Sequence, residues 1–310
     1  MINNDSILNA VTKHYDNKRF NAQNKAYELN AMLNEDQQWV NNRFAIKELS
    51  LEIAKAEYMQ DLDLANSLKE KREVLKAKRN QILSQKGIDE RSLSPVYECE
   101  KCQDTGFIHG AGVCDCFYKT LTAVCEDLLQ LSPSSLPDFS TYVCADKTEE
   151  KYKNLFLDYV EKFPPEKVKN LLISGDTGCG KTFSAGCIAS ALKGKNLNVI
   201  FITAVKLSEL FLRYHTASIG DKQAIFSLLT TCDLLVIDDL GTEPLLKNVT
   251  VEYLTAVISE RLSTKSPFII TTNLTMGEIK ERYTERLLSR LSGTETAKIS
   301  LKGKDKRIKK

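Results

Sequence analysis

The chain has 310 residues and a formal net charge of +2, with 42% hydrophobic and 27% charged residues. This length allows two or three domains, and the composition is typical of a globular protein with a charged surface. A net charge so close to zero excludes attraction of the whole chain to nucleic acid, so such binding would need local patches. Strand-sized apolar runs and a polar, acidic N-terminus predict neither a membrane span nor a signal peptide, and hence a cytoplasmic location.

Residues 1–92 are predicted to form a helical N-terminal region. They contain no cysteine or proline, and strong helix formers dominate from Phe44 to Lys86. Apolar residues recur there at intervals that fit one or two amphipathic helices. The heptad pattern is too irregular for a coiled coil, so a helical hairpin or a small bundle is predicted.

Two features of this region allow more than one interpretation. The basic run between Lys69 and Arg79 is typical of a solvated helix face, and contact with nucleic acid or an acidic partner is the alternative. Trp39, Tyr58 and Met59 are predicted to fill the local core, the alternative being that they anchor a partner helix.

Residues 93–130 are predicted to form a small zinc-binding module. Four of the nine cysteines fall within eighteen residues, at Cys99, Cys102, Cys114 and Cys116. Two close pairs separated by a turn-rich loop can wrap a tetrahedral Zn²⁺, and four thiolates leave no position for a catalytic water, so the zinc would be structural. Free or redox-active thiols are the alternative, because the one-residue gap of the second pair is less common. His109 is either a substitute ligand or a surface residue of the loop.

Residues 131–301 change to alternating strands and helices, after a Pro- and Ser-rich linker at residues 131–137. The predicted strands are Asn170–Ser174, Asn198–Thr203, Leu234–Ile237, Pro267–Thr272 and Lys298–Leu301. Such alternation predicts an α/β domain with a parallel sheet covered on both faces, and a ligand site beyond the carboxyl ends of the strands. Residues 302–310 are predicted to form a disordered basic tail that adds affinity for DNA.

A glycine-rich loop follows the first predicted strand and precedes a helix. Its residues are Gly175, Asp176, Thr177, Gly178, Cys179, Gly180, Lys181 and Thr182. They fit the pattern G-x-x-x-x-G-K-[ST], in which backbone N–H groups curl around a polyphosphate at the start of a helix. Lys181 is predicted to contact the β- and γ-phosphates of a nucleotide, and the Thr182 hydroxyl is predicted to bind Mg²⁺.

Polar residues end two later strands of the predicted sheet. Asp238 is placed to hold Mg²⁺ beside Thr182, and Asp239 to orient or deprotonate the attacking water. Glu243 competes with Asp239 for the role of the base, and the sequence does not separate them. The Asn273 amide is predicted to help position the water, and its alternative role is simply to start a turn.

Arg286 and Arg290 lie four residues apart on one face of a predicted helix. An arginine on such a helix can reach the γ-phosphate in a neighbouring subunit and stabilise charge in the transition state. The residues alone favour a solvated helix face.

With these motifs, residues 131–301 resemble the AAA+ ATPases of the DnaC, DnaI and IstB group. The resemblance implies an AAA+ P-loop fold with a central parallel sheet and a shortened lid, and ATP hydrolysis as the activity. It also assigns the motif residues, namely Walker A at Lys181 and Thr182, Walker B at Asp238 and Asp239, sensor 1 at Asn273, and the arginine finger at Arg290 ahead of Arg286. The segment before the first strand would place Phe139 and Tyr142 near the adenine.

Within this group, the cysteine-bearing N-terminal module resembles the DnaI-type loaders of the bacterial replicative helicase. The implied function is ATP-controlled deposition of a hexameric, DnaB-type helicase on single-stranded DNA, with the N-terminal region gripping the helicase and self-association driven by ATP or helicase. An IstB-like transposition or phage-replication ATPase that binds DNA and a recombinase is the alternative. A small-molecule P-loop kinase is a third hypothesis. The sequence shows no additional Arg-rich lid that would close over a phosphoryl acceptor, which counts against it.

DNA contact is expected along residues 205–230, between the second and third strands. Basic groups there would neutralise phosphates, and Tyr214 could stack on a base. Core and surface roles are the alternative for the same residues, which are Lys206, Arg213, Tyr214, His215 and Lys222.

Overall fold

The computed structural model describes residues 7–110, 112–129 and 135–302. The predicted basic tail beyond Lys302, and residues 131–134 of the predicted linker, lie outside the described residues. Two compact units are present: one is Thr12–Cys114, and the other joins the start of the first helix to the chain from Asp115 onward. This division differs from the domain boundaries 1–92, 93–130, 131–301 and 302–310, which remain a prediction. Within the described part of the chain, no helix has both the length and the apolarity needed to span a membrane.

Three long helices make up most of the N-terminal residues. They are α1 (Ile7–Asn34), α2 (Gln37–Tyr58) and α3 (Leu62–Gln85). Asp36 starts α2 by accepting hydrogen bonds from the N–H groups of the next turn, and Asp61 starts α3 in the same way. The second and third helices form the hairpin predicted from the sequence. Helix α1 precedes the segment from Phe44 to Lys86 in which strong helix formers dominate.

The packing of this hairpin decides how its large side chains are used. Trp39 is buried and packs with Leu33 and Ile82, as predicted for a core residue. Tyr58 and Met59 are 90% and 76% exposed, so the prediction that they fill the local core is wrong. Tyr58 is the last residue of α2, and Met59 begins the turn to α3. Both therefore lie beyond the residues through which the two helices pack against each other.

The basic run of α3 is largely neutralised by acidic neighbours within the same unit. Lys69 lies 2.6 Å from a carboxylate oxygen of Glu57, and Arg79 lies 2.9 Å from one of Glu90. These pairings favour the solvated helix face over a nucleic-acid contact.

A short hairpin and a helix follow the N-terminal helices. The antiparallel strands β1 (Phe107–Ile108) and β2 (Gly112–Val113) pair with each other, and α4 spans Asp115–Leu129. Single 3₁₀ turns occur at Glu90–Leu93 and Phe139–Thr141.

A five-stranded parallel sheet forms the centre of the C-terminal region, as predicted. Its strands are β3 (Asn170–Gly175), β4 (Val199–Thr203), β5 (Leu234–Leu240), β6 (Phe268–Thr272) and β7 (Thr296–Leu301). Their order in the sheet is β4-β5-β6-β3-β7, so β3 lies between two strands that come later in the chain. The surrounding helices are α5 (Lys147–Glu161), α6 (Lys181–Gly194), α7 (Ala204–Thr216), α8 (Ile219–Thr231), α9 (Thr250–Ser263), α10 (Met276–Arg282) and α11 (Glu285–Leu291).

Both faces of this sheet are buried, which explains why its strands read as continuous apolar runs. Leu171 and Ile173 point into one core, where they pack with Ile188 of α6 and Phe156 of α5. The intervening Leu172 points to the opposite face and is also buried. Because all five strands are parallel, their carboxyl ends share one edge of the sheet.

Candidate functional site

The glycine-rich loop joins the end of β3 to the start of α6. Gly175 has a φ of 148°, and a Cβ there would clash with the Leu301 carbonyl oxygen, so only glycine fits against the end of β7. Gly180 precedes α6 with a φ of 95°. These backbone turns direct the loop around the N-terminus of α6, where N–H groups and the helix dipole favour an anion.

Lys181 is the first residue of α6, and its ammonium group is held inside the loop. Its Nζ donates to the carbonyl oxygens of Gly175 and Asp176, at 2.7 and 2.8 Å. It also donates to the Asn273 side-chain oxygen at 2.6 Å. The charge therefore lies between the loop and the end of β6, although the two segments are far apart in sequence.

Asp238 lies in a bulge near the end of β5. Ile237 pairs with Ile270 and Leu240 with Thr272, so β5 has one more residue than β6 in this interval. The Thr271 hydroxyl donates to Asp238 at 2.7 Å and accepts from the Asp239 N–H at 2.8 Å. The bulge thus aims two successive carboxylates at the same edge of the sheet.

The surroundings of Asp238 fit a divalent cation. Burial raises the pKa of this carboxyl above its usual value, and hydrogen bonds from Thr271 and Thr182 oppose the rise. The Thr182 hydroxyl is therefore a direct neighbour of the Asp238 carboxylate. Oxygen ligands of these two kinds are what Mg²⁺ takes beside bound phosphates.

Asp239 and Asn273 face each other across the same edge. Asp239 has a φ of 60°, which a non-glycine residue rarely adopts. The Asn273 amide donates to its carboxylate at 3.0 Å, while the amide oxygen accepts from Lys181. One amide thus connects the lysine of the loop to the second aspartate.

These groups surround a cleft of about 890 Å³. Its polar wall comprises Ser135, Thr141, Thr177, Gly178, Gly180, Lys181, Thr182, Thr203, Asp238, Asp239 and Asn273. Of the other residues of the glycine-rich loop, Gly175 and Asp176 contribute carbonyl oxygens to Lys181, and the Cys179 side chain is buried. The described residues therefore bring the predicted phosphate and metal groups to one cavity of nucleotide size.

The apolar wall of the cleft differs from the prediction for adenine contact. It comprises Leu136, Pro137, Val143, Phe183 and Phe201. Phe139 and Tyr142 do not line it, because Tyr142 turns inward, where its hydroxyl is 3.0 Å from that of Ser184. The sequence carried one signal for this wall, Gly186 inside α6, where a Cβ would lie 2.6 Å from Pro137.

Glu243 lies outside the cleft, although it follows Asp239 closely in sequence. It is 2% exposed, and one of its carboxylate oxygens accepts from the Gly241 N–H at 2.9 Å. The other accepts from the Tyr283 hydroxyl.

Arg286 and Arg290 lie on α11 and do not line the cleft of their own chain. Arg290 is half-buried, and its Nε donates to the Ser259 hydroxyl of α9 at 2.5 Å. Arg286 is exposed. The arginine-finger role of this helix therefore remains a prediction.

The four clustered cysteines bring their sulfur atoms within 4.8 Å of one another. The sulfurs of Cys99 and Cys114 are 3.8 Å apart, and ligand sulfurs of a tetrahedral zinc site with Zn–S bonds of about 2.3 Å are separated by about 3.8 Å. This set of four thiols is therefore compatible with zinc, and none of the nine cysteines forms a disulfide. Asp104, which the sequence did not single out, accepts from the N–H groups of Glu98 and Cys99, both at 2.9 Å.

The region predicted to contact DNA forms α7 and α8. Tyr214 is half-buried, with its ring edge-on to that of Tyr253 at 4.8 Å. His215 is exposed, and its Nδ1 is 2.7 Å from the Tyr253 hydroxyl. This packing gives Tyr214 a structural role, so DNA contact here remains a prediction.

Replacing Asp238 with asparagine is expected to leave the nucleotide-free chain at least as stable as the original at neutral pH. Burial raises the pKa of the Asp238 carboxyl in the folded chain, so as the pH rises this carboxyl loses its proton in the unfolded chain first. Its ionisation at neutral pH therefore favours unfolding, and asparagine, which does not ionise, removes that cost. Turnover of ATP is expected to fall about a hundredfold or more, because a bound metal contributes several kcal/mol of transition-state stabilisation.

Thermal unfolding and magnesium-dependent phosphate release, measured on one preparation, check both effects of this substitution. Asp233→Asn, just before the start of β5, is the matched control. Full turnover in Asp238→Asn would contradict a metal-holding role.

Parts of this chain match a known protein family and several known proteins. Residues 145–310 match the model of the family described as IstB-like ATP binding protein. Replicative helicase loader DnaC of Escherichia coli (strain K12) is 28% identical over 133 residues, which are 43% of this chain and 54% of DnaC. Replicative helicase loader DnaI of Bacillus subtilis (strain 168) is 28% identical over 120 residues, 38% of this chain and 37% of DnaI.

The chain thus spans about half the length of DnaC, and less of DnaI. A crystal structure of DnaI has a TM-score of 0.46 to this chain at 20% identity, and the match covers 59% of this chain and 93% of that one.

Proposed function

Since this chain belongs to the IstB-like ATP binding protein family, we propose that it is an ATPase of the AAA+ type and that it loads a replicative DNA helicase onto single-stranded DNA. In this proposal, binding and hydrolysis of ATP control when the helicase is engaged and released. The main support is that the ATP-binding cleft belongs to a chain whose curated relatives are named replicative helicase loaders. These names favour a loader over a transposition ATPase.

The P-loop side of the cleft is proposed to bind the triphosphate. Lys181 would exchange part of its hydrogen bonding to carbonyl and amide oxygens for the β- and γ-phosphates. Thr182 and Asp238 would hold Mg²⁺, which when bound neutralises the charge of the phosphate oxygens. Leu136, Pro137 and Val143 supply an apolar surface for the base.

Asp239 is proposed as the group that orients or deprotonates the attacking water. It lines the cleft, whereas Glu243 has both carboxylate oxygens engaged outside it. Asn273 contacts both Lys181 and Asp239, which supports a role for its amide in positioning that water between the triphosphate and the carboxylate.

Replacing Arg290 with alanine is expected to leave ATP affinity unchanged and to lower turnover in the assembled state by about a thousandfold. The reason is that Arg290 does not line the cleft of its own chain, so only a neighbour's site would lose it. Phosphate release measured at concentrations that give assembly checks this, and Arg286→Ala on the same helix is the comparison. If Arg290→Ala loses ATP affinity together with turnover, the inter-subunit role is contradicted.

Zinc held by Cys99, Cys102, Cys114 and Cys116 is proposed to be structural. A module with two-residue strands has little core of its own, so a metal would supply its folding energy. The N-terminal region is proposed to contact the helicase, and the basic side chains of α7 and α8 to contact DNA phosphates.

The experiment that tests this function is size-exclusion chromatography of the full chain with the replicative helicase of the same organism. Co-elution that depends on ATP or ADP is expected, and it should be lost in Lys181→Ala and kept in Lys193→Ala. Lys193 is on the same helix and forms a surface ion pair with Glu126, so it is a matched lysine outside the cleft. A failure to co-elute in every nucleotide state would overturn the proposal, and binding of a recombinase instead would support the transposition alternative.

A further inference from the structure

Glu243 is a buried acid next to the cleft that the proposed chemistry does not use. Its two carboxylate oxygens accept from the Gly241 N–H and the Tyr283 hydroxyl, and its side chain is 2% exposed. A general base needs a lone pair within reach of the water in the site. Glu243 has neither exposure to the cleft nor an unengaged oxygen.

One end of this arrangement is the turn that carries Asp239. The Thr242 N–H and hydroxyl both bond to the Asp239 carbonyl oxygen, at 3.3 and 2.8 Å. Gly241 has a φ of 114°, and a Cβ there would lie 2.7 Å from Leu274, next to Asn273. Residues 239–243 therefore form one tight turn that joins Asp239 to Glu243.

The other end is the junction between α10 and α11. Tyr283 is 5% exposed, and burial together with the Glu243 hydrogen bond raises the pKa of its hydroxyl, which stays a proton donor. Arg282 donates from Nη2 to the Glu243 carbonyl oxygen at 2.5 Å. Thr284, which directly follows Tyr283, caps α11 because its hydroxyl accepts from the Leu287 N–H at 3.2 Å. The Glu243 contacts thus end directly before the helix that carries Arg286 and Arg290.

We propose that Glu243 is a positioning residue that, through Tyr283 and Arg282, couples the turn carrying Asp239 to the arginine helix α11. A change of the Asp239 turn on nucleotide binding would then alter the arginines that this subunit offers to its neighbour. The coupling rests on the proposed roles of Asp239 and α11. It assigns Glu243 to communication between sites, in place of proton transfer.

Hydrogen–deuterium exchange of the full chain, with and without ATP and Mg²⁺, tests this coupling without any helicase. In the original chain, nucleotide is expected to slow exchange in residues 285–291 by about fivefold or more, because it stabilises a local structure that opens otherwise. Tyr283→Phe, which removes one hydroxyl, should lose that nucleotide-dependent change while its ATP affinity stays within about twofold, since the cleft residues are untouched.

Tyr159→Phe is the matched control, because Tyr159 is 6% exposed and its hydroxyl also makes one hydrogen bond, to the Lys169 carbonyl oxygen at 2.6 Å. It should keep the nucleotide response of α11 and show a comparable change in melting temperature. If Tyr283→Phe keeps the response as well, or if the original chain binds ATP without any change at residues 285–291, the coupling is wrong. The second comparison needs no variant, so misfolding of Tyr283→Phe does not remove the test.

Two acid substitutions separate positioning from proton transfer. Glu243→Gln can no longer accept from both partners, so it should lose the nucleotide response of α11. Asp239→Asn should lose turnover and keep that response. The opposite pattern, with the response kept and turnover lost in Glu243→Gln, would make Glu243 the base. Failure of the loader function would appear only in helicase binding, so the two proposals can fail separately.

Discussion

Replacing Lys181 with alanine is expected to lower the affinity for ATP by about a hundredfold or more. A charge-assisted hydrogen bond contributes about 1.5–3 kcal/mol, and losing two to the phosphates is worth about 3 kcal/mol or more. The same substitution frees the carbonyl oxygens of Gly175 and Asp176, so the loop itself becomes less ordered. Equilibrium titration with a fluorescent ATP analogue measures the effect.

The control for this prediction is Lys193→Ala, on the same helix α6. Lys193 pairs with Glu126 at 2.8 Å and does not line the cleft, so its removal should leave ATP affinity unchanged. If both variants bind ATP as tightly as the original chain, the nucleotide does not occupy this loop. A loss in both would indicate a general effect on folding, which a melting curve would reveal.

Replacing Cys114 with serine is expected to remove zinc from the purified chain and to unfold the surrounding segment. Cys114 is 1% exposed, and structural zinc sites of this kind contribute on the order of 10 kcal/mol of folding free energy. Atomic emission should find about one zinc ion per original chain, as four thiolates bind one ion, and clearly less in the variant. Limited proteolysis should cleave between residues 97 and 116 in the variant alone.

Cys144→Ser is the control for the zinc prediction, because Cys144 is half-buried and outside the cluster. It should keep both the metal and the resistance to protease. ATP affinity should be retained in both variants, because the cysteines of the cluster do not line the cleft. A zinc-free original chain with four reactive thiols in this segment would favour the redox alternative.

The sheet and the phosphate side of the site were predictable because each depends on local patterns. Leu171 to Ile173 and Leu234 to Ile237 are buried on both faces, and such strands appear as unbroken apolar runs. The spacing of the glycines and Lys181 places the loop after a strand and before a helix, which sets its geometry.

Other features depend on contacts that the sequence does not display. Asp239 lines the cleft and Glu243 does not, because the Glu243 carboxylate accepts from Tyr283. Tyr283 lies 40 residues beyond Glu243, so the sequence does not display this contact. The apolar wall of the cleft depends on how a short 3₁₀ turn orients Thr141 and Val143 to one side and Tyr142 to the other. Helix α1 contains many asparagines, which have a low helix propensity, so its sequence carried only a weak helical signal.

The position of β3 between β6 and β7 has a consequence for synthesis of the protein. The strand that carries the P-loop, β3, leaves the ribosome before both of its neighbours in the sheet, since β6 begins at Phe268 and β7 at Thr296. Gly175 at the end of β3 packs against Leu301 at the end of β7. A nascent chain that ends before β7 should be unable to retain ATP, because β3 must first pair with these distant strands. Nucleotide capture would then report that β7 has been made and has joined the sheet.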